Sequence, residues 1–93
     1  MKASEIIDQA KDAVLDREGK YGNPLIHYER IRKGWEHIVG VEISTEEVGM
    51  MLMWLKMARV MENPKHLDNW IDIAGYAGVT AQAIVDKELR NIK

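Results

Sequence analysis

Between Val48 and Met61 the sequence reads VGMMLMWLKMARVM, a run of helical length in which Lys56 and Arg59 are the only polar side chains. A helix that is apolar all round has no wet face, so this run predicts a central helix buried on every side. Cations almost never sit in such a place unless an anion meets them. The next segment, HLDNWIDIAGY, supplies two carboxylates one helical turn apart, Asp68 and Asp72. Those aspartates, an anionic ligand, or both must satisfy Lys56 and Arg59.

The rest of the chain is organised to surround that helix. At 93 residues it reads as a single domain, residues 1–93, and a chain of that size hides only roughly 60–65% of its extended surface on folding. Yet 46% of its residues are hydrophobic and five of its six methionines lie between Met50 and Met61. That surplus predicts a homo-oligomer. A net charge of −2 shows no basic excess and argues against a duplex-nucleic-acid module. Without cysteine there are no disulfides and no thiolate metal sites. The N-terminus, MKASEIIDQAKD, is too charged for a signal sequence, and the run 48–61 is too short and interrupted to span a bilayer. The expectation is a soluble, cytoplasmic protein with no membrane contact.

Four helices follow from periodicity and caps. The first should start at Ser4 as N-cap and run to about Glu18, with Ile6, Ile7, Ala10, Val14 and Leu15 as its apolar stripe and Gly19 as its stop. Asn23-Pro24 starts the second, which runs to Val39 with Leu25, Tyr28, Ile31, Trp35, Ile38 and Val39 toward the core. Glu29 with Lys33 and Arg32 with Glu36 form outward i,i+4 pairs, and His27 and His37 read as surface residues. Ile43-Ser44-Thr45-Glu46-Glu47-Val48 is a capping box with a hydrophobic staple, so the third helix begins at Thr45 and ends at Glu62 before Asn63-Pro64. The fourth runs from about His66 to Arg90. Gly75 and Gly78 within it predict close approach of a neighbouring helix or a ligand. No strand pattern is present, so the fold class is all-α: helical hairpins in a four-helix, bundle-like arrangement.

A short link makes helices three and four an antiparallel hairpin, in which residue i lies level with roughly residue 129 − i. Arg59 then lies near Trp70, between Asp68 and Asp72, and Lys56 near Ile73. Asp68, Asp72 and Tyr76 share one face, as do Lys56 and Arg59. If the faces meet, the result is a polar cluster in an apolar bundle: either buried salt bridges that fix register or a binding site. Glu46 and Glu47 lie on the order of 15 Å away along the axis and reach the cluster only from another subunit. In Arg17-Glu-Gly-Lys20-Tyr21-Gly22-Asn23-Pro24, Arg17 and Lys20 place cations beside backbone amides, a pattern of phosphate loops and of ordinary turns alike.

Lys56-X-X-Arg59, then Asp68-Asn69-X-X-Asp72-Ile-Ala-Gly-Tyr76, preceded by Arg17-X₃-Tyr21-Gly22-Asn23-Pro24, resembles small phage-borne helical proteins related to the MazG-like, all-α nucleoside triphosphate pyrophosphatases. The likeness spans Arg17 to about Ala83. It implies a helical dimer or tetramer that cleaves nucleoside triphosphates to monophosphate and pyrophosphate, with Mg²⁺ held by acidic EExxE and ExxD motifs. Here Asn69-X-X-Asp72 replaces the Glu of ExxD, and Glu46-Glu47-X-X-Met50 replaces the last Glu of EExxE, so the acidic set is depleted. On this resemblance Asp68 and Asp72 are the catalytic and metal-binding candidates, with Glu47 joining from a partner subunit. Lys56, Arg59, Tyr76, Arg17, Lys20 and Asn69 are the substrate-binding candidates. The expected function is Mg²⁺-dependent nucleotide hydrolysis; the alternatives are a nucleotide-binding protein without turnover, such as a phage factor that sequesters a nucleotide or regulates a host enzyme, or a structural oligomer.

Overall fold

In the computed structural model, which describes residues 1–91, four helices carry nearly the whole chain: α1 (Ala3–Tyr21), α2 (Pro24–Val39), α3 (Thr45–Glu62) and α4 (Leu67–Asn91). The helix α4 has 25 residues, about 37 Å of axis at the usual rise, and nearly matches the 43 Å long dimension of the molecule. It packs along α3 over most of its length and also meets α1 and α2. The all-α architecture is therefore a bundle built around α4, against which the other three lean.

Local signals account for most helix ends. Asn23 Oδ1 accepts from the N–H groups of Leu25 (2.8 Å) and Ile26 (3.4 Å), and Pro24 opens α2 where its missing N–H is harmless. Ser44 Oγ accepts from Glu47 N–H at 3.1 Å while Glu47 Oε1 accepts from Ser44 N–H at 2.9 Å, a complete capping box on α3.

The ends of α1 differ from expectation. Ser4 lies inside the helix; Lys2 is the residue before it, and Glu5 Oε1 accepts from Lys2 N–H at 3.3 Å. At the other end, Gly19 stays helical and the helix runs on to Tyr21. It stops at Gly22, which has φ 77° and ψ −148°, a conformation open only to glycine, and whose N–H donates to Glu18 O at 3.0 Å. The residue that must turn the chain into Asn23-Pro24 ends α1, and that residue is Gly22.

The core joins Leu25 and Tyr28 of α2, Ile43 before α3, Val48 of α3 and Ala83 of α4, with Ile31, Trp35, Leu52 and Val79 packed around them. Val48 and Ala83 are wholly buried. Of the two glycines expected to allow close approach, Gly75 meets Val14 of α1 in ordinary contact, but the tightest approach falls elsewhere. Gly78 has open space beside it, whereas Gly49 of α3 sits directly against Thr80 of α4. Beside this core, Glu29 accepts from Thr45 Oγ1 (2.7 Å), Arg32 Nε (2.7 Å) and Lys87 Nζ (3.0 Å), tying α2 to α3 and α4. Glu29 thus pairs with Arg32 and Lys87 rather than with Lys33. Burial alone would raise its pKa, but those three bonds hold it down to about 2.

The largest departure concerns α3. It is not buried on every side. Thr45, Val48 and Gly49 are buried, but Met50, Met51, Trp54, Leu55, Met57 and Met61 face water. The helices α2 and α4 cover only one side of α3, and nothing among the described residues covers the rest. Ile38 and Val39 at the end of α2, and Ile7 and Leu15 on α1, are also exposed rather than core.

Candidate functional site

Asp72 on α4 is the residue where charge enters the interior. Its Oδ2 lies 2.9 Å from Lys56 Nζ on α3, with 22% and 13% of the two side chains exposed. The antiparallel ruler placed Lys56 one residue further along, so the register is right to within one position. Arg59 does not join the pair: it is exposed and makes no ion pair among the described residues. It sits one turn nearer the hairpin end, where α4 begins and no carboxylate faces it.

One turn beyond Asp72, the Tyr76 ring lies under the guanidinium of Arg17 on α1, with Cζ 5.1 Å from the ring centroid. The Tyr76 phenol, outweighing burial, raises the Arg17 pKa above its ordinary value, so the group is a fixed cation. Arg17, Asp72 and Tyr76 all line a cavity of about 130 Å³ where α1, α2 and α4 meet. Its interior is apolar, formed by Val14, Ile31, Leu52, Ile71, Gly75 and Val79. Tyr21 and His27 also line it and stack on one another, ring centroids 5.8 Å apart and 18° from parallel. Tyr28 closes it from α2, its hydroxyl 2.9 Å from Thr80 Oγ1.

The sequence around Tyr21 explains that mouth. Gly22 turns the chain sharply and Asn23-Pro24 immediately restarts it as a helix, so Tyr21 and His27 come face to face. The same caps occupy the amides: Gly22 N–H donates to Glu18, and Leu25 and Ile26 N–H donate to Asn23. These three amides are therefore taken by the protein, and the segment is a helix junction in which Lys20 turns outward to pair with Asp16 at 3.0 Å.

Among the other anticipated residues, Asp68 points to water, its side chain 79% exposed and 3.8 Å from His66 Nε2. Asn69 is buried at the start of α4. Glu47 is engaged in the α3 cap, whose bonds to Ser44 lower its pKa. Asp68, Asp72 and Glu47 thus do not converge within one chain, and among the described residues no group of three or more His, Asp or Glu side chains could hold a metal ion. Within a single chain these three side chains do not make a Mg²⁺ site. Sequence reasoning gives several of the lining residues other roles: His27 at the surface, and Val14, Tyr28 and Ile31 on apolar faces turned to the core. Only the tertiary meeting of three helices distinguishes a cavity wall from a core face.

No helix among the described residues is long and apolar enough to cross a membrane. Residues 5–84 match the family model described as a domain of unknown function, DUF6378. The chain is similar to the Gene 55 protein of Mycobacterium phage L5, 47% identical over 64 residues that are 68% of this chain and 41% of that protein. It is also similar to the Gene 55 protein of Mycobacterium phage D29, 30% identical over 77 residues, 82% of this chain and 51% of that protein. It therefore spans about half the length, or less, of the curated relatives it matches. No solved structure matches it. With most of its length matched, this chain belongs to the DUF6378 family and has its counterparts in phage proteins.

Proposed function

We propose that this domain binds a nucleotide through its base, without turnover in a single chain. The observation that carries the reading is the cavity itself. Its volume of about 130 Å³ is close to that of the engineered apolar cavity, about 150 Å³, that takes benzene. That is room for one ring system and not for a whole nucleoside triphosphate. Aromatic rings at the mouth, Tyr76, Tyr21 and His27, offer stacking surfaces. Asp72 gives one oxygen to Lys56 and has lone pairs left to accept from base N–H groups. Arg17 at the mouth supplies positive charge for phosphates that stay outside.

The kinship to MazG-like pyrophosphatases, and the helical homo-oligomer that goes with it, belong to the same proposal and rest on the Lys56-X-X-Arg59 and Asp68-Asn69-X-X-Asp72 motifs. Hydrolysis with Mg²⁺ requires converging carboxylates. Asp68 in water and Glu47 in a helix cap do not supply them within one chain. The binding reading is therefore preferred over the hydrolytic one.

The test is a calorimetric titration of nucleoside mono- and triphosphates with and without Mg²⁺, beside an assay of pyrophosphate release. Saturable binding without Mg²⁺, weakened at least tenfold in Tyr76→Ala and Arg17→Ala, is the expected result. Mg²⁺-dependent pyrophosphate release that disappears in Asp72→Asn would favour the hydrolase instead. Failure of every nucleotide to bind overturns both.

A further inference from the structure

We propose that the outward face of α3 is a self-association surface, on which a second copy of this chain lays its own α3 antiparallel across a two-fold axis near Trp54. Met50, Trp54, Met57 and Met61 recur at steps of four, three and four residues, and they are 61%, 60%, 38% and 71% exposed. That is the spacing of a helix–helix seam. Met51 and Leu55, 44% and 50% exposed, widen it. No charged residue lies on this stripe between Met50 and Met61; Lys56 points the opposite way, into its pair with Asp72.

The area argues for a second copy as the occupant. Six large apolar side chains exposed to this degree present roughly 600–700 Å² of surface, since an aromatic alone offers about 150–250 Å². That exceeds the largest patch of a typical monomer, about 300–600 Å². Covered from both sides, it gives about 1,200–1,400 Å², inside the range of specific interfaces, about 1,200–2,000 Å². A membrane fits poorly, because the stripe is bracketed at both ends by carboxylates, Glu46, Glu47 and Glu62, which anionic headgroups repel.

The helix dipoles set the direction. In a parallel pair like ends lie side by side, and Glu46, Glu47 and Glu62 each meet their own copies. In the antiparallel pair the dipoles are opposed, and only Glu46 comes level with a carboxylate, Glu62 of the partner subunit. Arg59 shares the face of Lys56 and takes no part. Area carries the association and the dipoles its orientation. The cavity lies on the other side of α3, next to Leu52, and stays open.

Light scattering of the parent at tens of micromolar should give twice the 10.7 kDa chain mass. Trp54→Glu and, separately, Met57→Lys should give the single-chain mass with the helical circular dichroism unchanged. Because the chain has no cysteine of its own, a mixture of Met50→Cys and Ala58→Cys proteins should cross-link between the two positions, and neither alone should. A monomeric parent, or folded Trp54→Glu and Met57→Lys variants that both keep the parent's mass, overturns the surface. Cross-linking of Met50→Cys with itself as readily as with Ala58→Cys overturns the antiparallel arrangement. Flotation of the parent with anionic vesicles, abolished by Trp54→Glu, would reassign the face to a membrane.

Discussion

Gly49 and Thr80 face each other across the α3–α4 seam so closely that a Cβ on Gly49 would stand 2.7 Å from the Cβ of Thr80. The helices approach to this distance because one of them has no side chain there. The contact also positions the Thr80 hydroxyl, which lies 2.9 Å from the Tyr28 hydroxyl at the base of the cavity.

Gly49→Ala should therefore destabilise the fold by about 2–3 kcal/mol, the usual cost of forcing volume into a packed core. The atom it meets is not the movable end of a long side chain. Gly34, exposed in the middle of α2 with nothing within 4 Å, is the control. There the same substitution should stabilise by about 0.5–1 kcal/mol, because alanine is the better helix former. Urea denaturation of both variants checks the opposite signs; equal shifts would contradict the close approach.

Asp72→Asn should cost on the order of 2–3 kcal/mol, below the full value for breaking a buried pair because about a fifth of Asp72 still meets water. The double change Asp72→Leu with Lys56→Met removes both charges and should fall within about 1 kcal/mol of the parent. A double-mutant cycle on denaturation midpoints measures the coupling. A single mutant as stable as the parent would mean that the pair contributes nothing.

Acid should weaken the fold through Glu29. Its folded-state pKa is lowered from 4.5 to about 2, so the stability it confers is present above pH 4.5 and is lost as pH falls toward 2. Thr45, Arg32 and Lys87 supply that stability, which should amount to roughly 2 kcal/mol across the window. Glu29→Gln should be less stable than the parent at neutral pH and should flatten the loss between pH 4.5 and 2. Parallel stability–pH curves for the two proteins would remove Glu29 from the account.

Ser44→Ala should lower stability by about 1 kcal/mol by removing the α3 cap, without altering any ligand affinity, because the cap lies far along α3 from the cavity. Thermal melts and a ligand titration on the same protein separate the two effects.

What the sequence by itself determined was local. Asn23-Pro24 and the Ser44–Glu47 box start α2 and α3 where the structure has them, because a cap needs only a side-chain oxygen and an amide two or three residues away. A short link after Glu62 sufficed to put Lys56 within one residue of its partner, since two helices of equal rise joined closely can only run back along each other. Tertiary packing decided the rest. Lys56 and Arg59 look alike in sequence, yet only Lys56 has a carboxylate across the seam. Tyr28 and His27 are neighbours in α2, but whether they line a core or a cavity depends on where α1 and α4 leave a gap. The apolar run of α3 demanded cover on all sides. Its two neighbours, α2 and α4, enclose only the side of Val48 and Leu52, and the side of Met50, Trp54 and Met61 stays outside because no third helix among the described residues packs against it.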